Sequence, residues 1–434
     1  MASTFRLVAR NSVSTKQIAG LLTPRVQIPR LLPSMNNATY VTATAVVSAK
    51  RIAAPAKKKA SSFTKKGKGP VGEKETVSSS TGKRNELYYK PSKEVNLKEL
   101  PSEALDKHIG KVFALPEDVV EKLNTIGYPT YIKDEFEYSS RQALLYRKET
   151  KELFSLLDES AKQPGQPIVI SGERGVGKSA LLLQAVARSI NSGWIVIYVP
   201  AATEWVNGSK PFAKIEDGKF SQPSLTSSIL GQIKETNSKI LAEIPMKKSI
   251  NIENYKVEEG SSLNDLLDVG IKDQQVSQQV MESFLNEVRF NETTPTLIAI
   301  DEINAFYTLA DYNDVNGRLL PAQHLMLVKS FLNFFSQRKT LANGAIVGAT
   351  SQTFSRFQSK ALNMTLAEGR SPVNTSLRNF EVKTYTKPEA KGLLKYYKES
   401  DILFEDVTED EINLKYTTTN GNGYKLYQAC RRLV

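Results

Sequence analysis

From residue 85 onward, short unbroken apolar runs alternate with longer stretches of helical period. "IVIS" (168–171), "WIVIYVP" (194–200), "LIAI" (297–300) and "GAIVGATSQT" (344–353) are short and almost uniformly apolar at their centres. They predict strands buried on both faces of a parallel sheet. Between the first two, "KSALLLQAVARSIN" predicts a helix closed by Gly193, so a βαβ unit is complete within about 33 residues.

Upstream, "LPEDVVEKLNTIGYP" predicts a short helix stopped by Gly127 and Pro129. "SSRQALLYRKETKELFSLLDESAKQ" predicts one long helix, with Leu153, Leu156 and Leu157 in an apolar row and "QPGQP" breaking it. Residues 201–290 predict an irregular surface excursion, "EWVNGSKPFAKIEDGKFSQPSL", then a polar stretch with helical patches. After Asp301 and Glu302 a loop runs to Pro321, and "AQHLMLVKSFLNFFSQ" predicts a helix. "FEVKTYTKPEAKGLLKYYKESD" predicts a strand and then a helix capped by Thr386 with Glu389 three residues on. "GNGYKLYQACRRLV" closes the chain with a glycine break and one more amphipathic helix; no internal repeat is visible.

Composition excludes several classes. The 434 residues are 40% apolar and 24% charged, and no run approaches the roughly 20 apolar residues of a membrane helix. A lone cysteine, Cys430, rules out an internal disulfide framework and reads as a core thiol. His108 and His324 are too few to hold zinc.

The net charge of +12 becomes informative once located. Residues 1–72 hold 13 of the 58 Lys and Arg and no acid, which leaves 45 basic against 46 acidic residues in the rest. The first 50 residues, acid-poor and rich in Arg, Ser and Thr, have the composition of a mitochondrial targeting peptide. Residues 51–84 form a basic arm with Lys57, Lys58, Lys59, Lys65, Lys66 and Lys68 and a single aromatic, Phe63. Such an arm is a solvated linker or a sequence-blind contact to RNA phosphates. The remaining expectation is an adaptor over 85–164, a nucleotide-binding domain over 165–385 with an insertion at about 201–290, and a C-terminal helical region over 386–434.

The chemistry lies in "GERGVGKS". Gly172, four residues, Gly177, Lys178 and Ser179 form a phosphate-binding loop in strict spacing. Glycines let the backbone take positive φ and bring N–H groups against phosphate oxygens, and the helix that follows adds its positive end. The phosphate-binding set is Gly172, Gly175, Val176, Gly177, Lys178, Ser179 and Ala180, and Ser179 is also the candidate Mg²⁺ ligand. "LIAIDE" supplies the acidic strand end: Asp301 is the candidate partner of the magnesium, and Glu302 the candidate catalytic carboxylate that activates water. The bland alternatives are a strand-end turn residue for Asp301 and a helix-start acid for Glu302. At the next strand tip, Thr350, Ser351 and Gln352 either contact the γ-phosphate or cap their own turn. Arg356, Arg370 and Arg378 are arginine-finger candidates that no spacing distinguishes. No Asn-Lys-x-Asp tetrapeptide is present, so the base is not readable from the residues.

With these pieces placed, residues 85–434 resemble the mitochondrial small-ribosomal-subunit proteins of the death-associated protein three family, in their fungal form. The resemblance is carried by "GERGVGKSALL", "GWIVIYVPAATEWVNG", "KFSQPSL", "LIAIDEINAFY" and "GNGYKLYQACRR". It implies an α/β fold: an AAA-like P-loop NTPase domain with a parallel sheet, a helical N-terminal extension and a small C-terminal helical part. It also implies a bound purine nucleotide, GTP/GDP or ATP, with Mg²⁺. Gly172, Gly175, Gly177, Lys178 and Ser179 would grip the phosphates, and Asp301 would sit near the metal. The implied partners are mitochondrial small-subunit rRNA and other mitochondrial ribosomal proteins in the matrix, with no membrane insertion and weak or absent hydrolysis. The alternative is a free mitochondrial AAA-type ATPase or switch that uses Glu302 as base.

Overall fold

In the computed structural model, residues 93, 95–216, 218–352, 362 and 377–431 are described. The chain divides into two units, Met1–Thr76 and Val77–Val434, and every described residue belongs to the second. The expected targeting peptide (1–50) and basic arm (51–84) lie outside the described residues, as do Arg356, Arg370 and Arg432.

The described chain begins with a two-stranded antiparallel ribbon, β1 (Lys111–Ala114) with β2 (Ala143–Tyr146). Helices α1 (Glu117–Ile126) and α2 (Thr130–Glu137) lie between them in sequence. Gly127 ends α1 at φ 105°, as its position in the sequence predicts. The long helix expected over this region starts only at Lys148: α3 spans Lys148–Ser160. "ALLY" pairs with "KVFA" instead, because four consecutive apolar residues suit a ribbon covered on both faces and give a helix no polar side.

Five strands form the central sheet: β3 (Ile168–Ser171), β4 (Ile195–Val199), β5 (Thr296–Ile300), β6 (Gly344–Ala349) and β7 (Arg378–Glu381). All pairings are parallel, in the order β7-β3-β6-β5-β4. Period-2 geometry divides their side chains between two cores. Val169, Ile197, Val199, Ile298 and Ile300 point to one face, while Ile168, Ile170, Val196, Leu297 and Val347 point to the other. On the second face pack α3 and α4 (Lys178–Asn191), the latter contributing Leu182, Leu183 and Val186.

The first face is covered by the segment expected to be a surface excursion. Residues 201–290 contain α5 (Pro223–Glu243), α6 (Leu263–Lys272) and α7 (Ser277–Arg289), whose Leu230, Ile233, Leu266, Val280 and Phe284 belong to the core. Trp205, Val206 and Phe220, inside the part expected to be irregular, are buried as well. Sparse apolar residues at helical spacing are enough to hold a helix on a sheet when the opposite face stays wet. Next comes α8 (Met326–Phe335), where Phe331, Phe334 and Phe335 extend the same core.

The C-terminal region is α9 (Lys387–Glu399), α10 (Glu409–Thr419) and α11 (Gly423–Cys430). The capping box of Thr386 and Glu389 forms as its spacing predicts. Cys430 is buried among these helices, and burial pushes its thiol up to about 12. Among the described residues no helix is long and apolar enough to cross a membrane.

Candidate functional site

The C-terminal ends of β3, β5 and β6 converge on one edge of the sheet, where open parallel sheets bind ligands. The glycine loop joins β3 to α4 at this edge. Gly172, Gly175 and Gly177 have φ values of 143°, 84° and 95°, which side chains resist and glycine accepts. At Gly175 a Cβ would also stand 2.5 Å from the Asn422 Oδ1.

Every carbonyl of the loop is taken by a protein donor. The Lys178 ammonium donates to the carbonyls of Gly172 (3.1 Å) and Glu173 (2.6 Å). Asn422 donates its side-chain amide to Arg174 O at 2.7 Å, and the Tyr424 backbone N–H donates to Gly175 O at 3.0 Å. Arg147 donates to Val176 O at 3.0 Å, and Leu181 N–H to Gly177 O at 2.9 Å. With its carbonyls so held, the loop turns its amides the other way, beside the orphan N–H groups that open α4. Among the described residues none of the Glu173–Gly177 amides meets a protein acceptor. The result is an anion nest.

Lys178 is buried, and desolvation pulls its ammonium down to about 8, against the opposing pull of Asp301 and Glu173. Asp301 is 1% exposed, and burial raises its carboxyl to about 7, opposed by a hydrogen bond from Ser179. Both shifts have one cause: charged groups gathered where water is scarce. Asp301 also accepts from the Glu302 backbone N–H at 2.8 Å, so it closes its strand-end turn while touching Ser179. A hydroxyl beside one carboxylate offers hard oxygen ligands, which suits Mg²⁺ completing its shell with phosphate and water. Among the described residues no group of three or more His, Cys, Asp or Glu could hold a metal by protein alone.

Glu302 takes a left-handed backbone, φ 60°, and begins the short 3₁₀ turn Ile303–Tyr307. Its carboxylate accepts a short hydrogen bond from the Thr203 hydroxyl. Thr350 donates its hydroxyl to Ile170 O at 3.2 Å, so it ties β6 to β3. Asn304 accepts from Ser351 N–H at 2.8 Å and donates to Ser351 O at 2.9 Å, pinning the acidic turn to the β6 tip. Arg378 starts β7 opposite Ile168, the end of the sheet remote from the loop. That position removes it as an arginine finger in this chain.

A cleft of about 1130 Å³, counted out to its mouth, runs from the loop beneath the C-terminal helices. Gly175, Gly177, Lys178, Ser179 and Ala180 line one part of it, and Thr350, Ser351 and Gln352 another. Its far wall holds Glu135 of α2, Leu145 of β2, Tyr397 of α9 and Tyr427 of α11. The sequence reading singled out none of these, nor Arg147. Arg147 is 5% exposed, ion-paired with Glu389 at 3.5 Å and Glu149 at 3.2 Å, and lies over the Tyr385 ring at 4.6 Å. It joins the adaptor, the glycine loop and α9. No short motif announces it; of the C-terminal partners, only Asn422 carries a local signal, as the N-cap of α11.

These features define an α/β protein with an anion nest at the ligand-binding edge of a parallel sheet, closed over by its own C-terminal helices. Residues 144–429 match the family model for mitochondrial ribosomal death-associated protein 3, and the chain belongs to that family. It is similar to the small ribosomal subunit protein mS29 of Schizosaccharomyces pombe, at 26% identity over 75% of this chain and 72% of that one. To the mS29 of Neurospora crassa it is 28% identical, over 74% of each chain. The mS29 of Mus musculus is 24% identical over 77% of this chain and 88% of its own. The family and these relatives assign the chain to the mitochondrial ribosome.

Proposed function

We propose that the chain is a structural component of the mitochondrial small ribosomal subunit, contacting rRNA and neighbouring ribosomal proteins. In this reading an AAA-like P-loop domain holds a purine nucleotide and supports mitochondrial translation. The nucleotide is a structural ligand: it binds the folded state alone and stabilises it by mass action. The observation that carries this is the loop, whose carbonyls are all bound from behind while its amides, Lys178 and Ser179 face the cleft. The strand order also supports it, since β6 stands between the loop strand β3 and the acidic strand β5 and brings Thr350 between Lys178 and Asp301.

Gly172, Gly175, Val176, Gly177, Lys178, Ser179 and Ala180 would hold the phosphates, with Mg²⁺ between Ser179 and Asp301. The metal would neutralise phosphate charge. Turnover is slow or absent in this reading, because the Glu302 carboxylate is already engaged by Thr203. The test is Lys178→Ala in the purified full-length chain. Nucleotide recovered after gel filtration and denaturation should fall sharply against wild type; equal recovery contradicts the proposal.

A further inference from the structure

The cleft has the glycine loop at one end and a carboxylate at the other. Glu135 is half-buried and lines the far wall with Tyr131, Tyr397 and Tyr427. Its Oε1 accepts from the Tyr397 hydroxyl at 2.8 Å, the only hydrogen bond to Glu135 among the described residues. Beside it the Tyr427 hydroxyl is buried with no hydrogen-bond partner. Burial pushes the Glu135 carboxyl up and the bond from Tyr397 draws it down. A carboxylate and a hydroxyl left under-satisfied in a sheltered wall are costly unless a ligand supplies donors.

Resting on the nucleotide reading above, we infer that Glu135 selects the base and that it selects guanine. With phosphates on the loop amides, the base extends along the cleft between tyrosine rings, whose faces suit stacking. Guanine presents N1–H and the N2 amine side by side, two donors for the two oxygens of one carboxylate. Adenine presents one donor, N6, beside the N1 lone pair, which would face a carboxylate oxygen and be repelled. A site built to accept two hydrogen bonds rejects a base that returns only one.

The test titrates GDP, IDP and ADP with Mg²⁺ into the full-length chain by calorimetry. GDP should bind on the order of 10- to 100-fold more tightly than ADP. IDP, which keeps N1–H and lacks the amine, should fall between. Glu135→Gln replaces one acceptor by a donor and so complements adenine; its preference should move towards ADP. Glu135→Ala should lose the preference without reversing it. ADP binding wild type as tightly as GDP, or an unchanged ratio in the Gln variant, overturns the inference and leaves the nucleotide reading standing. If wild type binds none of the three, the nucleotide reading itself fails, and the inference with it. The wild-type series needs no variant, so a misfolded substitution does not block the test.

Discussion

The two ends of the cleft are built by different means. At the loop end the contacts are backbone amides, and the residues that shape them are eight consecutive positions, Gly172 to Ser179. At the tyrosine end the contacts are side chains from α2, α9 and α11, and Glu135 and Tyr397 lie 262 positions apart. Recognition by amides needs a loop of one particular conformation, and glycine spacing encodes that locally. Recognition by side chains needs only that the fold bring them together, and no spacing encodes it. Arg147 is where the two ends meet: one guanidinium binds the loop carbonyl of Val176 and the Glu389 that caps α9.

The largest effect should therefore come from breaking that joint. Arg147→Ala leaves the Glu389 carboxylate, 2% exposed, without its buried partner. Losing one member of a buried pair costs about 3–5 kcal/mol. Denaturant titration should show this as a lowered midpoint, whereas a loss below about 1 kcal/mol would mean that the C-terminal helices dock independently of Arg147.

Gly175→Ala separates loop conformation from loop charge. It adds a Cβ at φ 84°, against Asn422 Oδ1 and 2.8 Å from Tyr424 Cβ. The left-handed backbone alone costs about 1–2 kcal/mol, and the contact adds to it. Stability and nucleotide retention should fall together. A variant that keeps both would show that docking of α11 does not set the loop.

A smaller effect is expected from pH. In the ligand-free chain the Lys178 ammonium is lost as pH climbs through about 8, so nucleotide binding must then recover a proton. The apparent Kd should weaken by up to about tenfold per unit above that point. Asp301, raised to about 7, is protonated below that value and then binds no cation. Mg²⁺-dependent binding should consequently peak between the two values and fall on both sides. A flat profile from pH 6 to 9 would show that neither group faces the ligand.

What the sequence made legible follows the same division. The buried strands, the glycine loop, α4 and the Thr386 cap were readable because each depends on neighbours in sequence. "ALLY" was read as helix because its partner strand begins 32 residues earlier, and pairing leaves no local mark. The 201–290 segment was read as surface because its apolar residues are thinly spread; the sheet face beneath them turns that sparse stripe into core. Asp301 was placed correctly on the sheet edge, and its hydrogen bonds to Ser179 and the Glu302 amide combine both roles considered for it. Glu302 was legible as a carboxylate after the acidic strand, but its engagement by Thr203, 99 positions away, was not.

The central claim is that a nucleotide on the loop amides and Lys178 stabilises the fold. The most direct test is thermal melting of wild type and Lys178→Ala, each with and without saturating GDP and Mg²⁺. Without nucleotide the two should melt close together, because the desolvated ammonium contributes little by itself. With nucleotide at 100 times its Kd, wild type should gain about 2.7 kcal/mol and pull away, while the variant hardly moves. Identical melting of the two proteins at saturating nucleotide would contradict the account.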